Sequence, residues 1–211
     1  MLLGNGDGTF AEAVPYTLGD GPRPIASGDF NGDGSVDLAV GSTWMSTVSV
    51  LLGDGSGTFE TRSDHPGYAY ESLATGDFDG DGTTDLAAAA QGDFVTVLLG
   101  STTETLQPPV QYPVQVGARS VTTADFNGDG KLDIATVNHT QSTAGVLFGS
   151  GDGTFQRATS YAIAVTNPTT IGLGPTAITA GDLNGDGAPD LAVTTQQNNN
   201  SVFVLFNRCQ P

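Results

Sequence analysis

Four segments of the chain carry oxygen-bearing side chains at one fixed spacing: Asp29, Asn31, Asp33 and Asp37; Asp77, Asp79, Asp81 and Asp85; Asp125, Asn127, Asp129 and Asp133; Asp182, Asn184, Asp186 and Asp190. Positions 1, 3, 5 and 9 of each loop thus hold hard donors, and a Gly at position 6 permits the sharp turn that brings them together. Such a set suits a hard divalent cation and points to Ca²⁺; with no Cys or His cluster beside it, it does not suit zinc. The position-7 backbone carbonyls of Ser35, Thr83, Lys131 and Ala188 complete the expected ligand sets, for about four Ca²⁺ ions per chain.

Position 12 tells which kind of calcium loop this is, because an EF-hand places a bidentate Glu there on an exiting helix. Here that position is Val40, Ala88, Thr136 and Val193, so the EF-hand reading fails in every copy. The ninth-position Asp is followed by Leu-Ala or Ile-Ala and a β-rich run, which puts the ion on a turn between two strands. Asp-Gly and Asn-Gly are also ordinary hairpin signals, and a single loop would be open to that plainer reading. Four loops with every ligand position filled are not. The GDGTF segments lack Asp at this spacing and are read as turns.

The four loops recur at intervals of 48, 48 and 57 residues, the last lengthened by an insert around VTNPTTIGLG. Self-similarity at such a period marks a repeat architecture. Downstream of each loop comes a second apolar run, ending at Gly53, Gly100, Gly149 and Asn207. A third element follows as GDGSGTF to Phe59, a degraded STTETL to Leu106, and GSGDGTF to Phe155, with a ring six residues on at His65, Tyr112 and Tyr161. The N-terminal LLGNGDGTF to Phe10, then Tyr16, is the same third element with nothing before it.

Each unit therefore reads as four short strands separated by Gly, Asn and Asp clusters, with no convincing helical period. About 48 residues for four strands is the size of a propeller blade. The expected fold is all-β, a β-propeller of four four-stranded blades. Residues 19–66, 67–113, 114–163 and 164–211 form blades 1 to 4, and residues 1–18 supply the strand that closes the last. The alternative is a fragment or half of a larger propeller, completed by a partner.

Composition narrows the function. Nineteen Asp and four Glu against one Lys and five Arg give a formal net charge of −17, which excludes electrostatic binding to nucleic acid or to an anionic membrane. Thirteen of the 23 acids lie in the four loops, and four Ca²⁺ would bring the charge to −9. Hydrophobic content of 37% with ten Phe is too apolar for a disordered acidic tail. A single Cys, Cys209, allows no intrachain disulfide, and no run of 18 apolar residues or basic leader marks a membrane span or secretion signal. The ion sites are expected to hold this Gly-rich chain together instead.

The pattern DFNGDGxxDLAV followed by VSVLLGxGxGTF resembles the FG-GAP/VCBS repeat family, whose best-known members are integrin α-chain propellers, over nearly the whole chain. The resemblance implies a β-propeller with calcium between the first and second strands of a blade, in secreted or surface-exposed proteins that act in adhesion, in carbohydrate binding or as accessory domains. Integrin-like propellers usually have seven blades, and this chain has four repeats.

The expected function is a non-catalytic, calcium-stabilised interaction or adhesion module, extracellular or at the cell surface. Its partner is a protein or glycan on the face opposite the acidic loops, and the chain is a monomer or a ring-completing dimer. Loops between second and third strands, STWMST, AQGDF, VNHTQST and TQQNNNS, differ most between repeats, and loops free of a shared structural job carry specificity. Trp44, Phe94, His139 and Asn198 are the candidate ligand contacts. A lectin using the same loops would stack sugar on Trp or Tyr, yet one Trp for four repeats supports this poorly. An accessory domain of a larger secreted enzyme is a further alternative. Catalysis within the chain lacks support: His65 sits in a packing register, His139 has no evident partner in the sequence, and the Asp groups are explained by the ion.

Overall fold

Each acidic loop lies between apolar runs too short for a helix, and each pair of runs becomes a hairpin. The computed structural model describes residues 1–103, 105–163, 174–196 and 201–208. Its first sheet holds β1 (Pro22–Gly28), β2 (Asp37–Ser42), β3 (Thr47–Gly53) and β4 (Phe59–Pro66), antiparallel in chain order. The second holds β5 (Ser72–Gly76), β6 (Asp85–Ala89), β7 (Phe94–Leu98) and the outer strand β10 (Val110–Pro113). Between β7 and β10 the degraded STTETL segment makes a separate small hairpin, β8 (Gly100–Ser101) with β9 (Thr105–Leu106). The third sheet is β11 (Ala118–Ala124), β12 (Asp133–Asn138), β13 (Thr143–Leu147) and β14 (Thr159–Ala162); the fourth is β15 (Pro175–Gly181), β16 (Asp190–Thr195) and β17 (Val202–Leu205).

The sheets pack face to face in succession, which is why their middle strands read as nearly continuous apolar runs: β6 and β12 are buried at every residue. Three cores result. Phe30, Val48 and Val50 meet Leu86, Ala88 and Leu98; Phe78, Val95 and Val97 meet Ile134, Leu147 and Phe155; Phe126, Val137 and Val146 meet Ile178, Leu191 and Val193. First strands are laced to one another, with Val121 N donating to Ser72 Oγ at 3.2 Å, Thr123 Oγ1 to the Thr75 carbonyl at 3.0 Å and Ile178 N to Ser120 Oγ at 3.3 Å. Among the described residues there is no helix, and so none long and apolar enough to cross a membrane.

Four consecutive sheets thus stack as propeller blades, but as an open arc: the structure takes the partial propeller in place of the closed ring. Residues 1–18 do not supply the fourth strand of the last sheet, and β17 pairs only with β16 among the described residues. The N-terminal segment folds on itself instead. Gly4 bridges to Phe10, Ala11 N donates to the Leu3 carbonyl at 2.7 Å, and Met1 and Val14 exchange hydrogen bonds. Its anchors are on the first sheet, where Leu3 covers Gly57 and Tyr16 meets Phe59 edge-on, with ring centroids 5.6 Å apart. With Leu3 and Tyr16 seated on the first sheet, the segment stands where a blade preceding the first would stand.

Candidate metal centres

The first-position Asp of each loop gathers the loop's own amides. Asp29 accepts Gly32 N at 2.7 Å and Gly34 N at 2.8 Å on its two oxygens, and Asp77, Asp125 and Asp182 accept the equivalent glycine amides. Both glycines must turn through positive φ to reach them, 72° and 84° in the first loop, which is why a side chain is strained there. The fifth-position Asp accepts the amide of residue 7, from Ser35, Thr83, Lys131 and Ala188 at 2.7 to 3.0 Å. Each loop is therefore folded around its own first- and fifth-position carboxylates.

The ninth-position Asp has a second task that the sequence did not disclose. Asp37, Asp85, Asp133 and Asp190 are wholly buried. One oxygen of each accepts the amide of loop residue 2, from Phe30, Phe78, Phe126 and Leu183, and the other accepts an amide at or just beyond the end of the third strand, from Gly53, Gly100, Gly149 and Asn207. These side chains clamp three strands of a sheet at one end. Burial raises the carboxyls of Asp37 and Asp133 above the usual value and that of Asp85 to about 6, against the pull of the two amides; nearby loop carboxylates add to the rise. Asp33 and Asp81 shift the other way, held down chiefly by the Asn31 amide and the Thr83 hydroxyl.

In the second loop three carboxylates converge. One oxygen each from Asp77, Asp79 and Asp85 lie within 4.8 Å of one another, a spread that one cation with ligands at about 2.3–2.6 Å can bridge. In the other loops position 3 is Asn, whose Nδ2 donates to the fifth-position carboxylate: Asn31 to Asp33 at 2.8 Å, Asn127 to Asp129 at 3.2 Å, Asn184 to Asp186 at 2.9 Å. The second loop, with Asp79, has no such donor, so it carries one more carboxylate and lacks the Asn hydrogen bond to the fifth-position Asp. Among the described residues no second group of three acidic side chains closes equally tightly. The donor chemistry in all four loops, oxygen only, fits a hard divalent ion.

Successive loops are linked edge to edge. Thr84 N donates to the Asp29 carbonyl at 2.7 Å and accepts Asp29 N on its hydroxyl at 3.0 Å. The carbonyls of Phe30, Phe78 and Phe126 accept Ser101 N, Gly153 N and the Asn207 side-chain amide in turn. The GDGTF-type segments are turns, as read: Asp7, Asp54 and Asp152 each accept the backbone amide two residues on, and the hydroxyl of that residue.

The ends of the sheets opposite the acidic loops carry the remaining candidates. Trp44 is 78% exposed and leans on Gly21. Phe94 is half-buried against Tyr68, with ring centroids 4.9 Å apart. His139 is half-buried, its Nδ1 3.0 Å from the Pro175 carbonyl oxygen, so it ties the third sheet to the fourth. Asn198 lies outside the described residues. Three residues missed by sequence reasoning join Phe94: Tyr68, Glu71 and Gln91 line a shallow groove of about 320 Å³. Glu71 receives Arg23 and the Gln91 amide. Besides Phe94 itself, the trace of this groove in the sequence is the aromatic pair in PGYAYES, which no other repeat contains.

Fold and loops together define a partial β-propeller with one repeated oxygen-donor loop per blade. The chain belongs to the FG-GAP-like repeat family, whose family model matches residues 29–88, 77–136 and 125–193. Among solved structures, the chain is similar to BBS1N from its complex with ARL6DN, at 13% identity and TM-score 0.58, over 91% of this chain and 59% of that one. It is also similar to an Agrocybe aegerita lectin described as recognising non-reducing terminal N-acetylglucosamine, at 20% identity and TM-score 0.54, over 87% of this chain and 52% of the lectin. Both likenesses are of fold, and the chain spans little more than half of either protein. No curated protein matches the sequence.

Proposed function

We propose that the chain is a non-catalytic, calcium-stabilised interaction module working outside the cell, which binds a protein or glycan on the face away from its acidic loops. The observation that carries this reading is the division of labour between the two ends of the sheets. One end repeats the same loop four times, each folded around its first-position Asp; the other presents unlike loops, including the exposed Trp44 and the Tyr68–Phe94 groove. About four Ca²⁺ ions held by the aspartates at positions 1, 3, 5 and 9 offset carboxylate repulsion and stiffen the arc, leaving the opposite loops free to vary. Extracellular calcium, at about 1 mM, fills sites of the modest affinity such exposed loops provide.

One observation favours a glycan over a protein as ligand. Tyr68 and Phe94 give an aromatic wall and Glu71 and Gln91 supply a carboxylate and an amide beside it, the combination that stacks on and hydrogen-bonds to a sugar. A glycan array probed with the calcium-loaded protein, with chelator and with the Tyr68→Ala and Phe94→Ala variants tests this. Binding is expected to fall at least about tenfold in each variant and to weaken with chelator. Glycan binding indifferent to both substitutions rejects the groove, and an array without signal leaves protein partners as the ligand class.

A further inference from the structure

Two of the grooves along the arc are closed in the same way. Where the second sheet meets the third, Leu99 covers Gly153, and Phe155 packs edge-on against both Phe78 and Tyr112, at 5.4 and 5.3 Å between centroids. Where the N-terminal segment meets the first sheet, Leu3 covers Gly57 and Tyr16 packs on Phe59. A Gly and a Phe from one GDGTF-type turn are thus received by a Leu and a Tyr from the preceding unit.

Among the described residues, the groove between the third and fourth sheets has the receiving half alone. Phe126, Phe148 and Tyr161 stand in the registers of Phe78, Leu99 and Tyr112, and line an apolar groove of about 380 Å³ together with Leu205, Phe206 and Asn207. The β17 edge beside it has no outer strand among the described residues, and Val202 and Phe206 are exposed. At the other end of the arc is the inserting half alone. Phe10, in GNGDGTF, is 64% exposed, and a side chain at Gly8, in the register of Gly57 and Gly153, would meet nothing within 4 Å.

We propose that this groove is a docking site for the N-terminal turn of a second copy of the chain. Phe10 of that copy enters between Phe126 and Tyr161, its Gly8 lies under Phe148, and its residues 10–17 add an outer strand to β17. Val204–Asn207 already holds the strand-3 register that Met1–Gly4 repeats, with Asn207 N on the Asp190 carboxylate. Docking therefore displaces Met1–Gly4 from its pairing with residues 10–14. The Phe126 carbonyl, bonded to the Asn207 amide, has a second lone pair for Gly8 N. Used reciprocally by two copies, the contact gives a two-fold ring of eight four-stranded blades, within the range of about 4–8 usual for propellers.

Sedimentation of the 211-residue protein over a concentration series tests the proposal, with circular dichroism confirming the fold of each variant. A monomer–dimer equilibrium is expected. Phe10→Asp and Tyr161→Asp, both at exposed positions, each weaken it about thirtyfold or more. Mixing the two variants restores association in part, since one of the two contacts then joins an intact turn to an intact groove, and removing residues 1–4 strengthens the dimer. A protein that stays monomeric with and without residues 1–4, a dimer indifferent to both substitutions, or a mixture no better associated than its components each overturns the proposal.

Discussion

Chelation of calcium is expected to lower the melting temperature of this protein by about 10–20 °C, and added calcium to restore it. Sites with a dissociation constant near 0.1 mM in about 1 mM calcium each contribute about 1.4 kcal/mol by linkage, so four contribute on the order of 6 kcal/mol. For a chain of this size about 1 kcal/mol moves the midpoint by about 2–4 °C. The effect is large because a single Cys allows no intrachain disulfide, no helix supports the sheets among the described residues, and each loop holds three or four carboxylates within nine residues. Scanning calorimetry with and without chelator measures it, and an unchanged curve rejects a stabilising role for the ion.

The same scans carry a pH signature whose sign differs between the two states. In chelator, the folded chain binds more protons than the unfolded chain between the usual Asp value of 3.8 and about 6, because burial raises Asp85 to about 6 and raises Asp37 and Asp133 in the same direction. Their stabilising contribution is therefore present at the acid end of that window and is lost as pH rises through it. The lowered carboxyls, Asp33 and Asp81 among them, act in the opposite sense below 3.8. With calcium the slope over the window reverses, since the ion requires the ionised carboxylates and competes with protons for them.

Asp85→Ala costs about 2–4 kcal/mol even in chelator, whereas Asp79→Ala costs stability only when calcium is present. Removing Asp85 leaves the Phe78 and Gly100 amides without their acceptor inside the sheet end, each orphaned amide costing about 1–3 kcal/mol. Asp79 is only part-buried and accepts a single loop amide, from Asp81, so its loss without the ion removes repulsion along with one weak bond. Chemical denaturation of the two variants under both conditions separates the roles. Equal losses in chelator contradict the division of the ninth-position aspartates into clamp and the third-position residue into ligand.

Much of this was legible in the sequence because it is local and repeated. Loop spacing fixes where each first strand ends and each second strand begins, and the apolar runs bounded by Gly and Asp become the strands themselves. The clamp was not legible, because Asp37 meets Gly53, 16 residues away, only after the third strand has returned beside the second. Nor was the fate of residues 1–18. Repeat phase says that they are the outer part of a blade, but whether they meet β17 depends on how far the arc curves, which no residue pattern encodes. The Tyr68–Phe94 groove escaped notice for the opposite reason, since it belongs to one junction and has no counterpart to reveal it.

Titration calorimetry of the chelator-stripped protein with calcium tests the central claim most directly. The account predicts binding of about four ions per chain, with Asp79→Ala losing one of them and the others retained. A protein that takes up no calcium while its sheets remain folded, or an ion count that does not change in Asp79→Ala, contradicts it.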